Sequence, residues 1–128
     1  PDYLEGHTEV GKTMRSLFIA GAIAVANAHD GIGESEKSVL TEFMGDGFSP
    51  DALNVDKLIN TLPKRIETVK SCTSIPQRMQ IIHDLSVVAR AEGEVSDSEL
   101  TVIYAIADGL DLPKTLVVPL LDRDVDLD

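Results

Sequence analysis

The sequence predicts an all-α fold, a compact bundle of about seven helices, and three observations carry that prediction. Apolar residues recur at helical spacing, most clearly at Ile81, Ile82, Leu85, Val88 and Ala89. Two capping-box signatures, Ser74 with Gln77 and Ser96 with Glu99, stand directly ahead of apolar stretches. The chain also repeats itself, since a shift of 63 residues lays Val25–Leu40 on Val88–Ile103 without a gap. Val25/Val88, Ala26/Ala89, Ala28/Ala91, Ser35/Ser98, Glu36/Glu99 and Val39/Val102 are identical, which implies an internal pseudo-twofold repeat (25–40 and 88–103) of helix, acidic turn and helix.

Taken in order, 1–10 reads as an irregular lead-in and the first helix spans about 11–28. Met14, Leu17, Phe18, Gly21, Val25 and Ala28 form its buried face. Gly21 and the alanines around it carry so little bulk that another helix, the repeat partner at 75–91, can approach closely. A turn at 29–33 leads to a helix over 34–44, closed by Gly45. The Gly, Asp, Ser and Pro residues of 45–54 make a loop, after which Asn54 caps a short helix at 55–62 and Pro63 opens another to 72. The helix at 75–91 is apolar on most sides and is expected at the centre of the domain, ending at Gly93. Ser96 opens the sixth helix, which Gly109 stops. Pro113 starts a seventh with Leu116, Val117, Leu120 and Leu121 inward and Pro119 kinking or shortening it. The last segment, 122–128, is an acidic tail.

A chain of 128 residues with 43% apolar content fits one domain, 1–128, and its 4% aromatic content makes the core aliphatic. The apolar run Leu17–Ala26 is roughly half the length of a bilayer span, so no membrane span is expected. A net charge of −11 argues against a nucleic-acid partner and suits cations or a basic protein surface. The lone Cys72 reads as a small buried hydrophobe in a reducing, cytoplasmic setting. A start at Pro1 with no signal-peptide pattern fits a domain cut from a larger polypeptide. Lys57, Lys64, Arg65, Lys70 and Arg78 gather in the middle of the chain, either as a solvated face or as a docking surface for an acidic partner.

The residues that could carry chemistry are mostly carboxylates. Asp30, Glu34 and Glu36 belong to the first turn, and Glu92, Glu94, Asp97 and Glu99 to the second. Calcium or magnesium takes several carboxylate and carbonyl oxygens around a glycine-kinked backbone, which makes these seven the candidate metal ligands. Glu36 and Glu99 also fall where a carboxylate caps a helix, and Glu34 and Asp97 gain from the same dipole, so capping alone and capping with a cation site both stand. No catalytic residue is assigned: His83 and Asp84, as sequence neighbours on a helix, point to different faces, and neither H-E-x-x-H nor G-x-S-x-G occurs. Gly6–Thr13 satisfies the phosphate-loop pattern G-x-x-x-x-G-K-T, which leaves nucleotide binding as an alternative, although no run reads as the parallel sheet such a loop needs.

At its turns the chain resembles the tellurite-resistance TerB-like family, whose hallmark is A-D-G-x-[IV]-x-x-x-E between helices of a small all-α domain. Ala91–Glu99 follows that spacing with glutamate at 92, and Asp30–Glu36 keeps the D-G but is one residue short before its glutamate. The resemblance covers residues 12 to 121. It implies a non-enzymatic binding or regulatory module associated with stress and tellurite resistance, with Glu92, Glu99, Asp30 and Glu36 as the carried-over metal ligands. It also implies occurrence as an appendage of larger proteins, peptidases among them, where the module serves structure or protein interaction.

Overall fold

The computed structural model describes residues 8–28, 34–45, 49, 54–92 and 95–121. Among the described residues there are seven α-helices and no strand: α1 (Glu9–Asn27), α2 (Glu34–Met44), α3 (Val55–Asn60), α4 (Leu62–Cys72), α5 (Ile75–Ala89), α6 (Asp97–Gly109) and α7 (Lys114–Leu121). A 3₁₀ turn, Arg90–Glu92, follows α5. The all-α bundle predicted from periodicity and capping is therefore the observed architecture.

The centre belongs to α1 and not, as the sequence suggested, to α5. Every residue from Ala20 to Ala26 is buried, and α1 packs against α3, α4, α5 and α6. A helix built of alanine, glycine and a few branched residues presents little bulk on any side, so partners can close on it all round. In α5 only the second half is enclosed, whereas Ile75, Pro76, Gln77 and Gln80 are exposed. The close approach expected at Gly21 is present: a Cβ there would lie 3.1 Å from a Leu85 δ-carbon and 3.3 Å from Ile106 Cδ1. Three helices thus meet at one glycine.

Equivalent positions of the repeated segment share their environment. Val25 and Val88, Ala26 and Ala89, and Leu40 and Ile103 are all buried, and Val39 and Val102 are both half-buried.

Local signals set most helix ends. Ser74 and Ser96 each accept the backbone N–H three residues on, while Gln77 and Glu99 accept the serine N–H in return, so both capping boxes form. Asn54 Oδ1 accepts the Lys57 N–H at 3.1 Å, and Gly45 closes α2 with φ +89°, a conformation that favours glycine. The first helix begins at Glu9 instead of residue 11, because Thr8 Oγ1 takes the Gly11 N–H at 2.8 Å and so caps it earlier. α5 stops at Ala89 and tightens into the 3₁₀ turn, short of the expected end; Gly93 lies outside the described residues. Cys72 is exposed at the end of α4, not buried.

The stop of α6 differs in kind from the one expected. Gly109 is still helical, and it is small because a Cβ there would come within 2.9 Å of Ile66 Cγ2 on α4. The residue that turns the chain is Asp111, at φ 58°. Its N–H reaches Asp108 O at 3.0 Å and the Leu112 N–H reaches Ala107 O at 3.0 Å, the paired bonds of a Schellman motif with aspartate in the place usually held by glycine. Asp111→Gly is expected to raise the unfolding free energy by about 0.5–1 kcal/mol, less the small contribution of the exposed ion pair to Lys70, whereas Asp111→Val should lower it by about 1–2 kcal/mol. Urea midpoints of the two variants check this, and equal midpoints would show that the turn does not depend on a left-handed residue.

Candidate functional site

The second acidic turn can be built up from α6. Ser96 is extended (φ −72°, ψ 162°), which lets its hydroxyl accept the Glu99 N–H at 3.2 Å while Glu99 Oε1 accepts the Ser96 N–H at 2.9 Å. Glu99 is only 6% exposed, so this carboxylate sits inside the turn with one oxygen committed to the backbone. Asp97 stands exposed at the first helical position, and both carboxylates face the positive end of the α6 dipole. The capping role assigned to Glu99 from its spacing is thus realised in atoms.

The other five candidate ligands are reached less directly. Asp30 and Glu94 lie outside the described residues, as do the side chains of Glu34, Glu36 and Glu92. The backbones of the last three are placed: Glu34 and Glu36 begin α2, Glu92 ends the 3₁₀ turn, and α2 packs directly against that turn. Two elements about 60 residues apart in the chain, each adjoining one of the acidic segments, are therefore packed together. Among the described residues no group of three histidine, cysteine or carboxylate side chains is arranged to hold a metal ion, and Asp97 with Glu99 alone does not make a site.

Other sequence candidates resolve into structural roles. Asp84 is 2% exposed and accepts from Gln80 Nε2 at 2.9 Å. His83 Nδ1 comes within 3.4 Å of Asp84 Oδ1, closer than two faces of a helix would put them, through a long contact from a half-exposed ring. In the phosphate-loop pattern, residues 9–13 are already helical, and Thr8 Oγ1 and Thr8 O take the Gly11 and Lys12 N–H groups. Those are backbone donors that a phosphate loop would offer to its ligand. Gly6 and His7 lie outside the described residues.

The basic cluster divides. Arg78 is a tie between helices, donating to Lys70 O, Thr73 O, Thr73 Oγ1 and Leu110 O. Lys70 pairs with Glu67 at 3.2 Å and Asp111 at 3.6 Å, and the hydrogen bond to Glu67, helped by the charge of Asp111, raises its pKa above the ordinary lysine value. Lys64 and Arg65 instead face a cleft against α1. Arg78 was missed as a structural residue, because nothing in linear spacing distinguishes an arginine that satisfies distant carbonyls from one on a solvated face.

With this geometry in hand, the comparison with known families is decisive: the model of the tellurite resistance protein TerB matches residues 15–118. The chain belongs to the TerB family. The TerB match enters in α1, leaves in α7 and spans both acidic turns. No curated protein and no solved structure matches the chain. As a TerB domain it is a module of the tellurite-resistance type, and among its described residues no helix is long and apolar enough to cross a membrane.

Proposed function

We propose that this TerB domain is a non-enzymatic binding and regulatory module that takes up one divalent cation, calcium or magnesium, between its two acidic turns. The observation that supports the reading is the packing of α2, the helix that opens with Glu34 and Glu36, against the 3₁₀ turn that ends in Glu92. Hard cations want such oxygen ligands from a flexible, glycine-kinked backbone. Glu99, with one oxygen held by Ser96, would lend its second oxygen from a fixed position. Binding would fasten the α1–α2 turn to the α5–α6 turn and present a partner protein, or the rest of a longer polypeptide, with a stiffened face. The setting we assign is cytoplasmic.

A ligand that prefers the folded state raises stability by about 2.7 kcal/mol at a free concentration of about one hundred times its Kd. Thermal unfolding of the domain in chelator, calcium or magnesium should therefore show a rise in midpoint with one of the ions. Glu99→Gln separates the two roles of that residue, since glutamine caps α5 equally well at Gln77. The expected result is a midpoint in chelator lowered only by the small loss of one charge at the α6 dipole, and a reduced rise with the ion. Flat calorimetric titrations together with unmoved midpoints would dismiss the cation and leave the domain as an interaction appendage without a ligand.

A further inference from the structure

A second site lies between α1 and α4, at the opposite end of α1 from the first acidic turn. There a cleft of about 390 Å³ brings Lys12 from α1 together with Lys64 and Arg65 from α4. Three cations converging on one cavity is unexpected on a chain of net charge −11, and like charges so placed repel one another unless an anion joins them. Helical spacing accounts for the convergence: Lys12 and Ser16 are one turn apart on α1, and Thr61, Arg65 and Thr68 follow i, i+4, i+7.

The cleft is also organised. Arg65 Nε donates to Thr61 Oγ1 at 3.0 Å and its Nη1 donates to Ser16 Oγ, so the guanidinium is held across the gap with its fork oriented. Thr61 is itself fixed by donating to Lys57 O at 2.7 Å. Among the described residues, no acceptor takes the Arg65 Nη2 donors, no carboxylate stands within ion-pair distance of Lys64 or Arg65, and the Ser16 hydroxyl hydrogen has no acceptor. The one acidic neighbour of the set among the described residues, Glu9, meets Lys12 at 3.7 Å where both side chains are largely exposed, a pair that a ligand can displace at little cost.

We propose that this cleft binds the phosphate group of a small phosphorylated compound. A planar guanidinium held by two hydroxyls offers the paired donors that match phosphate oxygens, and the two lysines add point charges on either side. The volume exceeds that of a bare ion and falls in the range of small-molecule pockets, so the phosphate would carry a small organic or second phosphoryl group with it. Lys12 and Thr13, which complete the phosphate-loop pattern of the sequence, thus reach phosphate chemistry by side chains rather than by a wrapped backbone.

The test is a titration of the intact domain, free of divalent cations, with pyrophosphate as the probe, against sodium chloride at matched ionic strength and followed by amide chemical shifts. Expected are shifts concentrated at residues 9–16 and 61–68 with a dissociation constant in the millimolar range or tighter. Lys64→Gln and Lys12→Gln should each weaken binding by about tenfold, while Lys114→Gln, an exposed lysine at the start of α7 and outside the cleft, should leave it unchanged. All three lysines are on the surface, and each variant's unfolding midpoint confirms that it folds. Overturning results are the absence of shifts beyond those seen with chloride, or an equal weakening by Lys114→Gln, which would mean diffuse attraction and no site. Because the probe is used without divalent ions, its failure is independent of the fate of the cation reading.

Discussion

Arg78→Ala is expected to lower the unfolding free energy by about 3 kcal/mol or more, a large share of the stability of a domain this size. The side chain leaves the first turn of α5 and donates to Lys70 O and Thr73 O, both at 2.8 Å, to Thr73 Oγ1 at 3.1 Å and to Leu110 O at 3.1 Å. Lys70 O belongs to the last turn of α4, and Leu110 is the C-cap of α6. These are carbonyls for which a helix has no internal partner, lying at the negative ends of two helix dipoles. Alanine would strand them in a half-buried place where water replaces the guanidinium poorly. Arg78→Lys should recover less than half of the loss, because an ammonium is one compact charge and cannot span two helix ends. Urea unfolding followed by circular dichroism decides the matter: a loss under about 1 kcal/mol with an unchanged m-value would remove Arg78 from the structural role given to it.

Gly21→Leu should be comparably severe, with a cost of about 3 kcal/mol or more from overpacking. The would-be Cβ already stands 3.1 and 3.2 Å from the two Leu85 δ-carbons and 3.3 Å from Ile106 Cδ1, and both of those side chains are fully buried with nowhere to move. Gly21→Ala, which asks the neighbours to give by only a few tenths of an ångström, should cost far less. The instructive variant is the exchange of bulk across the contact. Leu85→Ala alone opens a cavity and should cost about 2–5 kcal/mol, yet combined with Gly21→Leu the total should fall well below the sum of the two singles. Strict additivity in thermal unfolding would mean that the two positions do not share the same space.

Much of this fold was legible because its signals are local. Ser74/Gln77 and Ser96/Glu99 announce helix starts through bonds that span three residues, Gly45 announces a stop through its own backbone, and the apolar periodicity of α5 needs only one turn of helix to be seen. Gly21 belongs with them, since small residues in an apolar helix foretell a close neighbour. What escaped depends on residues far apart in the chain. Gly109 resembled a helix stop, but it is small for the sake of Ile66, and the left-handed turn falls to Asp111. Arg78 and Lys64 look alike in a list of cations, and only the arrangement of the helices separates them: α4, α5 and α6 make one a tie, whereas α1 and α4 make the other part of a cleft. At the acidic turns, spacing foretold the cap at Glu99 and could not by itself tell a cap from a ligand, because both chemistries select a carboxylate at the same place.

The burial of the Ala20–Ala26 stretch of α1 on all sides bears on how the chain is made. As the ribosome releases it from the amino end, α1 emerges before every helix that covers it, and α6, which contributes Ile106 to the Gly21 contact, comes late. An apolar rod must therefore wait through most of synthesis for its coat, exposed to aggregation or to a chaperone that shields it. Nascent chains halted before α6 should be held by such a factor, and release of the last helices should free them together.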